Sequence, residues 1–542
     1  MNLEILKSVL AFGGGLGMFI YGMQLMADGL QKSAGAKTRK LLAMLTNNRV
    51  VGVLVGALIT AIIQSSSATT VMVVGFVNAR LMDLSQAIGI IMGANIGTTM
   101  TGWLVSMSEW GSFFKPDFFA PILLIIGTVI LLFAKTERMK QMSSILVGFG
   151  ILFIGLNAMS GAIKPYSDEP IFYQAFTVIG SNPIFGLLVG AVVTAVIQSS
   201  SASMGILQTL AFNGVVNWSA AAFIALGQNI GTCVTALLSC IGAHRNAQRA
   251  AMLHLLFNII GSILIGSVIW IFFALNPLVA QSTVTGTSLA LFHSGFNIAT
   301  TILLFPFANW LVKLAQKMIP EHEEIKEKEF VHLDKRLLQN AGIAFDVVRQ
   351  EIIRMGALAL SNISYSRDVL VSHDHFEKME ENERKINRFQ EELTSYLEKV
   401  DIATLPPADK LELQHSILAI NNIERISDYC MHILNGSKQM LEHKMSETMI
   451  EDINTISSHA YKTMKYALKM RENHDLDQYK KVEKHENRVD EMEKTMRQSY
   501  MHRMSEQSYN VQEGIYFLDT IYNYERISDH ATQLAEYTLQ ES

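Results

Sequence analysis

Gln64-Ser65-Ser66-Ser67-Ala68 interrupts one long apolar run, and Gln198-Ser199-Ser200-Ser201-Ala202 interrupts another. The eight residues before each are near copies: Gly56-Ala57-Leu58-Ile59-Thr60-Ala61-Ile62-Ile63 and Gly190-Ala191-Val192-Val193-Thr194-Ala195-Val196-Ile197. The offset is 134 residues, and it carries Gly93-Ala94-Asn95-Ile96-Gly97-Thr98 onto Gly227-Gln228-Asn229-Ile230-Gly231-Thr232 without an insertion. Upstream, Gly15, Gly17, Gly22 and Met26 return as Gly148, Gly150, Gly155 and Met159 at an offset of 133. Residues 1 to about 134 and about 135 to 275 are therefore two copies of one unit, and the fold is to be read as a repeat.

The chain of 542 residues is too long for one ordinary domain, and 49% hydrophobic residues with 17% charged ones point to a membrane protein that carries something soluble. Up to about Leu314, apolar stretches of membrane-crossing length follow one another; from Glu321 onward Lys, Glu, Asp and His are dense. A formal net charge of -5 gives no sign of a nucleic-acid partner. Cys233, Cys240 and Cys430 form no metal-ligand spacing and demand no oxidising compartment. The start of the chain lacks the basic region and cleavage pattern of a signal peptide and is read as a retained first helix.

Val9 to about Leu30 is expected as the first membrane helix, followed by a basic loop with Lys32, Lys37, Arg39, Lys40 and Arg49. The arm from Val51 to Ile63 then spans about 20 Å, too short to cross a hydrocarbon core of roughly 30 Å. Each Gln-Ser-Ser-Ser segment is accordingly expected at the tip of a re-entrant hairpin, near 51 to 77 and 184 to 214. The other membrane helices are expected near 86 to 107, 118 to 134, 145 to 162, 219 to 241, 252 to 275 and 289 to 312. With hairpins that turn back, the loops at 31 to 50, 78 to 85, 135 to 144 and 242 to 251 share one side and hold 11 Lys and Arg, against Lys7, Lys115 and Lys164 on the other. That asymmetry favours the hairpins, with the N-terminus outside and the charged C-terminal region in the cytoplasm. Three crossings per copy invert the second copy, so the hairpins enter from opposite faces and meet near the midplane.

Backbone freed at a hairpin tip must line a cavity or be buried in protein, because lipid offers it no partner. Two opposed helix starts with six hydroxyls suit a small oxyanion held by neutral donors, since helix N-termini present unpaired amides and partial positive charge. Neither hairpin core holds Lys or Arg, so a multiply charged anion needs co-bound cations. The amide and hydroxyl oxygens of the Gly-x-Asn-Ile-Gly-Thr segments suit sodium. The plainer reading is that Ser, Thr and Gln glue helices together and Gly marks close packing. The duplication weighs against it. His254-x-x-Phe257-Asn258 and His293-x-x-Phe296-Asn297 form a second echo, for which packing and hydrogen bonding are favoured over a proton relay.

These paired motifs resemble the sodium/phosphate cotransporters of the type II class and their bacterial relatives, over about 300 residues. The resemblance implies phosphate contact at Gln64, Ser65, Ser66, Ser67, Gln198, Ser199, Ser200 and Ser201. It also implies nearby sodium sites, for which Asn95, Thr98, Asn229 and Thr232 are candidates by position, joined by Thr69 and Ser203 just after the triplets. The copies diverge there, Ala68-Thr69-Thr70 against Ala202-Ser203-Met204, which leaves the coupling stoichiometry open.

The C-terminal part repeats as well: Ile423-Glu424-Arg425-Ile426-Ser427-Asp428 returns as Tyr524-Glu525-Arg526-Ile527-Ser528-Asp529. Helical periodicity near 333 to 372, 376 to 400, 408 to 441, 446 to 473, 475 to 505 and 509 to 539 predicts two three-helix units. This part resembles the PhoU family, whose helical repeats bind metal through paired carboxylates. On that resemblance Glu383, Glu424, Asp428, Glu486, Asp490, Glu525 and Asp529 are candidate ligands, with Asn387 standing where an acid is expected. A Glu and an Asp four apart share a helical face and suit a hard or borderline cation; a solvated face with ion pairs through the intervening Arg fits the same pattern.

The expected fold is thus all-α: a polytopic transport domain over 1–318 with two inverted repeats, a linker at 319–330, and a PhoU-like cytoplasmic helical domain over 331–542. The expected function is sodium-coupled symport of inorganic phosphate across the cytoplasmic membrane; the alternative is a phosphate-binding membrane sensor without net transport. The partners are phosphate, sodium and the lipid bilayer, the cofactors are sodium and any metal ions of the helical domain, and a homodimer is one assembly left open. No phosphate-loop Lys and no nucleophile with a nearby base argue for an enzyme.

Overall fold

The computed structural model describes residues 3–43, 48–79, 81–111, 113, 115–167, 169, 174, 178, 182–320, 333–339, 341–369, 375–402, 405, 407–439, 445–473, 475–505 and 511–541. Among these the regular elements are helices, with a lone bridge between Asn217 and Thr283 and no strand. The chain divides into a unit over Met1–Gln339 and a second over Asn340–Ser542.

Among the described residues of the first unit, seven helices are long and apolar enough to cross a membrane: Leu3–Ser33, Leu84–Glu109, Pro116–Phe133, Glu137–Tyr166, Trp218–Ser239, Arg245–Leu275 and Gly286–Met318. They fall where the sequence places its seven crossings. Between them lie the shorter apolar helices Arg49–Ile63, Ser66–Asn78 and Pro183–Ile197, with Ser200–Phe212 completing the second pair. The outward faces are apolar: Ile125, Leu132, Val192, Val196 and Val268 are exposed in the protein alone, as suits a lipid-facing surface.

Two expectations are corrected. The basic stretch after Leu30 is not a loop, because the first helix runs on over Leu3–Ala43 through residues that favour helix and include no proline. Helix does not begin at 333 either. Lys335–Gln339 is a 3-10 turn, started by Asp334, whose side chain accepts from the Arg336 N–H at 2.8 Å, and the long helix is Ala341–Asp368.

Small residues set the packing of the membrane unit. A side chain at Gly22 would sit against the Gly148 carbonyl and one at Gly148 against that of Gly22; Gly15 and Gly155 are related in the same reciprocal way. The first helix and Glu137–Ile163 therefore run antiparallel, with early positions of one copy meeting late positions of the other. Within each copy the first hairpin arm lies against the helix after the hairpin. Gly93 faces the Val53 carbonyl and Gly227 the Leu187 carbonyl, which is 134 residues further on. The glycines of Gly-x-Asn-Ile-Gly-Thr thus serve close backbone approach, as the plainer reading of them held.

Among its described residues the second unit holds six long helices. Ala341–Asp368, Phe376–Leu397 and Pro407–Gln439 pack as one bundle, and Glu447–Asn473, Tyr479–Ser505 and Val511–Gln540 as another. The bundles join where Pro407–Gln439 meets Val511–Gln540, with Ile423, Ile426 and Ile527 fully buried.

Candidate functional site

Each Gln-Ser-Ser-Ser segment is a hinge between two short helices. Arg49–Ile63 ends on Gln64 at φ 57° and Pro183–Ile197 ends on Gln198 at φ 56°, the two non-glycine residues in the left-handed region among those described. The next residue restarts a helix as its N-cap: Ser65 Oγ accepts from the Ala68 N–H at 3.1 Å, and Ser199 Oγ from the Ala202 N–H at 3.2 Å. The first amides of a helix have no acceptor within it, so each hinge leaves donors over after its serine cap is made. No charged residue lies in 50–78 or 183–213. Whatever binds at these tips meets hydroxyls, amides and helix-end dipoles.

The two hinges come together through a helix of the first copy. Thr101 Oγ1 donates to Gln64 Oε1 at 3.0 Å and lies 3.0 Å from Ser201 Oγ, which in turn donates to it. One turn earlier, Thr98 Oγ1 is 3.3 Å from Ser200 Oγ. Thr98 falls at the break between Leu84–Gly97 and Thr99–Ser106; its mate Thr232 lies within the continuous helix Trp218–Ser239 and donates to the Gln228 carbonyl. Gln64, Ser66 and Ser201 are buried, Ser65, Ser67, Ser199 and Ser200 are partly buried, and Gln198 is exposed.

The positions expected near sodium are less alike between copies. In the first, Thr60 Oγ1 donates to Thr69 Oγ1 at 2.9 Å, and Thr69 passes its own proton to the Ser65 carbonyl. In the second, the Thr194 and Ser203 hydroxyls are both buried without a partner. Asn95 donates to the Ile91 carbonyl. Asn229 instead joins a polar chain, accepting from His293 Nε2 at 3.0 Å and donating to Asn297 Oδ1 at 2.8 Å. With Nε2 as donor, the His293 tautomer is set and its Nδ1 is left as an acceptor, buried and without a partner. The histidine echo is thereby half explained: His293 and Asn297 are tied to Asn229, while both ring nitrogens of buried His254 lack partners.

Thr101 was missed in the sequence, whereas Asn297 was read there as a packing and hydrogen-bonding residue and is bonded to Asn229. Thr101 had a signal, since it and Thr235 keep the 134-residue offset.

In the helical unit, Glu486, Asp490 and Asp529 bring carboxylate oxygens within 4.8 Å of one another, the one grouping of three metal-ligating side chains among the described residues. Burial, then Asp490 and Asp529 beside it, push the Glu486 carboxyl up from an ordinary 4.5 to about 7. Glu525 does not join them. It pairs with Arg526 at 2.6 Å, and Arg526 also reaches Asp529 at 3.1 Å, so the ion-pair alternative holds for that residue. In the first bundle Glu383 is held by Ser427 Oγ and by Asn387 Nδ2, and burial with Asp428 nearby pushes its carboxyl up. Glu424 is raised by burial and by Asp428.

Seven helices long and apolar enough to cross a membrane, two polar hinges and a pair of helical bundles are, among the described residues, the features of a membrane protein that carries a separate helical domain. The family model of the Na+/Pi-cotransporters matches residues 18–161 and 169–300, and that of the PhoU domain matches 352–436 and 453–538. The chain belongs to the Na+/Pi-cotransporter family and carries a PhoU domain. It is 31% identical over 305 residues to YqeW of Bacillus subtilis, covering 56% of this chain and 95% of that one. It is 26% identical over 344 residues to YjbB of Salmonella typhimurium, a protein named for inorganic phosphate export, covering 62% of this chain and 61% of that one. It is 34% identical over 117 residues to the sodium-dependent phosphate transport protein 2A of Rattus norvegicus, covering 21% and 18%.

Proposed function

We propose that the chain moves inorganic phosphate across the cytoplasmic membrane coupled to sodium, by alternating access around the two hinges, with the PhoU domain on the cytoplasmic side as regulator. The observation that carries this reading is the Thr101 hydroxyl, shared between Gln64 of one copy and Ser201 of the other. Two segments that are remote in sequence present helix starts to one neutral, donor-rich place, which is what a small oxyanion needs. The antiparallel pairing of the first helix with its counterpart supports an inverted relation of the copies, in which one hinge faces each side.

Phosphate contacts are assigned to Gln64, Ser65, Ser66, Ser67 and to Gln198, Ser199, Ser200, Ser201. For sodium, Ser203 with Thr194 is the favoured pair, because two buried hydroxyls without partners are short of a ligand where Thr60 and Thr69 satisfy one another. Asn95, Thr98, Thr69, Asn229 and Thr232 remain the wider set. Glu486, Asp490 and Asp529 fit a hard or borderline cation by donor type and spacing. For net direction, the name of YjbB favours export.

The test is radiolabelled phosphate flux in proteoliposomes with sodium replaced by lithium or choline. Sodium-dependent flux that is lost in Ser66→Ala and in Ser200→Ala, with normal insertion, is expected. Phosphate binding without flux in any cation gradient favours a sensor and removes the transport reading.

A further inference from the structure

The segment that leads into the helical domain is seated on the end of the first hairpin. Leu337 is fully buried and lies over Gly75, one turn from the end of Ser66–Asn78; a Cβ at Gly75 would stand 2.8 Å from Leu337 Cδ2. Beside it, Asn78 Nδ2 donates to Asp334 Oδ2 at 2.7 Å. The same Asn78 accepts through Oδ1 from the His244 N–H at 2.8 Å, and His244 ends the turn between Trp218–Ser239 and Arg245–Leu275. Arg336 Nε closes on Asp334 at 3.0 Å, and Asp334 is nearly fully buried.

One amide side chain thus joins three pieces: the hairpin arm that starts at Ser66, the turn after the helix that carries Asn229, and the entry to the regulatory domain. The arm is 13 residues of uninterrupted helix, so what holds Asn78 also limits movement of Ser66 and Ser67, about 20 Å away. Ala341, where the helical domain begins, is four residues beyond Leu337. A strain on that domain is passed to the segment through a very short length of chain.

We propose that residues 334–337 act as a built-in brake: seated on Gly75 and Asn78 they restrain the first hairpin, and their release by the helical domain frees it to move. This rests on the transport reading of the hinges and adds its regulation.

The test uses the full chain in nanodiscs and proteoliposomes. Leu337→Asp is expected to raise deuterium exchange of peptides covering 66–78 and to raise the initial rate of phosphate flux severalfold. Gly75→Ala crowds the same contact and should do likewise, while Gly75→Ala with Leu337→Ala restores room and returns both readouts toward wild type. Unchanged exchange in Leu337→Asp overturns the seating. Raised exchange with flux unchanged or lowered overturns the brake. Absence of flux in the wild-type chain removes the transport reading and the brake with it, while exchange still decides whether the segment is seated.

Discussion

Thr101 and Thr235 hold the same place in the two copies, yet Thr101 is bonded to Gln64 and Ser201 while the Thr235 hydroxyl is buried with no partner. The difference matches the hinges themselves, one glutamine being buried and the other exposed. A protein that alternates between two mirror-like states should exchange these roles, with Thr235 bonded and Thr101 idle in the other state. Thr101→Val leaves two polar groups unpaired here and should lower thermal stability by about 1–3 kcal/mol. Thr235→Val should leave the melting temperature unchanged or higher and still cut phosphate flux by about tenfold. Flux at the wild-type level in Thr235→Val would show that its hydroxyl has no turn to take.

The helix crossing makes a sharper structural forecast. Gly22→Ala drives a methyl into the backbone of the counterpart helix at Leu152, whereas a side chain at Gly17 meets nothing within 4 Å. Thermal unfolding in detergent should show Gly22→Ala losing several degrees and Gly17→Ala little. Equal behaviour of the two would mean that the helices are paired differently.

For the carboxylate cluster the pH dependence has a definite sign. A folded-state Glu486 raised to about 7 from 4.5 takes up a proton on folding, so the cation-free domain should lose stability as pH rises through that interval. A bound cation must displace that proton. Manganese should therefore raise the melting temperature more at pH 8 than at pH 6, and Asp529→Asn should abolish the effect. A manganese shift of the same size in Asp529→Asn would place the ion elsewhere.

A second titrating pair works in the opposite direction. His459 and His485 face each other Nδ1 to Nδ1 at 3.0 Å, which requires a bare lone pair on one ring. Burial, with Lys462 and Lys484 close by, holds both below the ordinary 6.5. Their contribution is present above about 6.5 and is lost as pH falls below it. Comparing wild type with His459→Gln between pH 7.5 and 5.5 cancels the Glu486 contribution; the variant should lose less stability on acidification. A steeper loss in the variant would refute the assignment.

Much of this was legible from pattern alone. Hydropathy over about 20 residues marked the seven crossings, and the short arms before Gln64 and Gln198 marked the hinges, because both are local properties of the chain. The Thr101 bridge was not, since it depends on which helix of one copy packs beside the other copy's hinge. Nor was the seat of Leu337. Its helical periodicity reads as the start of a long helix; the 3-10 turn begins at Asp334, and Leu337 is buried against Gly75, far away in sequence. Asn387 was read as a weak point among the acids, and it is there as a donor to Glu383.

The left-handed turns at Gln64 and Gln198 bear on how such a protein could be engineered. Glycine takes that conformation freely, whereas a glutamine there sits uphill by about 1 kcal/mol. At exposed Gln198 the change to glycine should then give a sturdier protein that has lost its cargo, whereas Gln64→Gly also removes the acceptor of the Thr101 hydroxyl and should not gain stability. Selection for heat resistance alone would drift toward the replacement at Gln198, so a search for robust variants has to be screened for flux at every round.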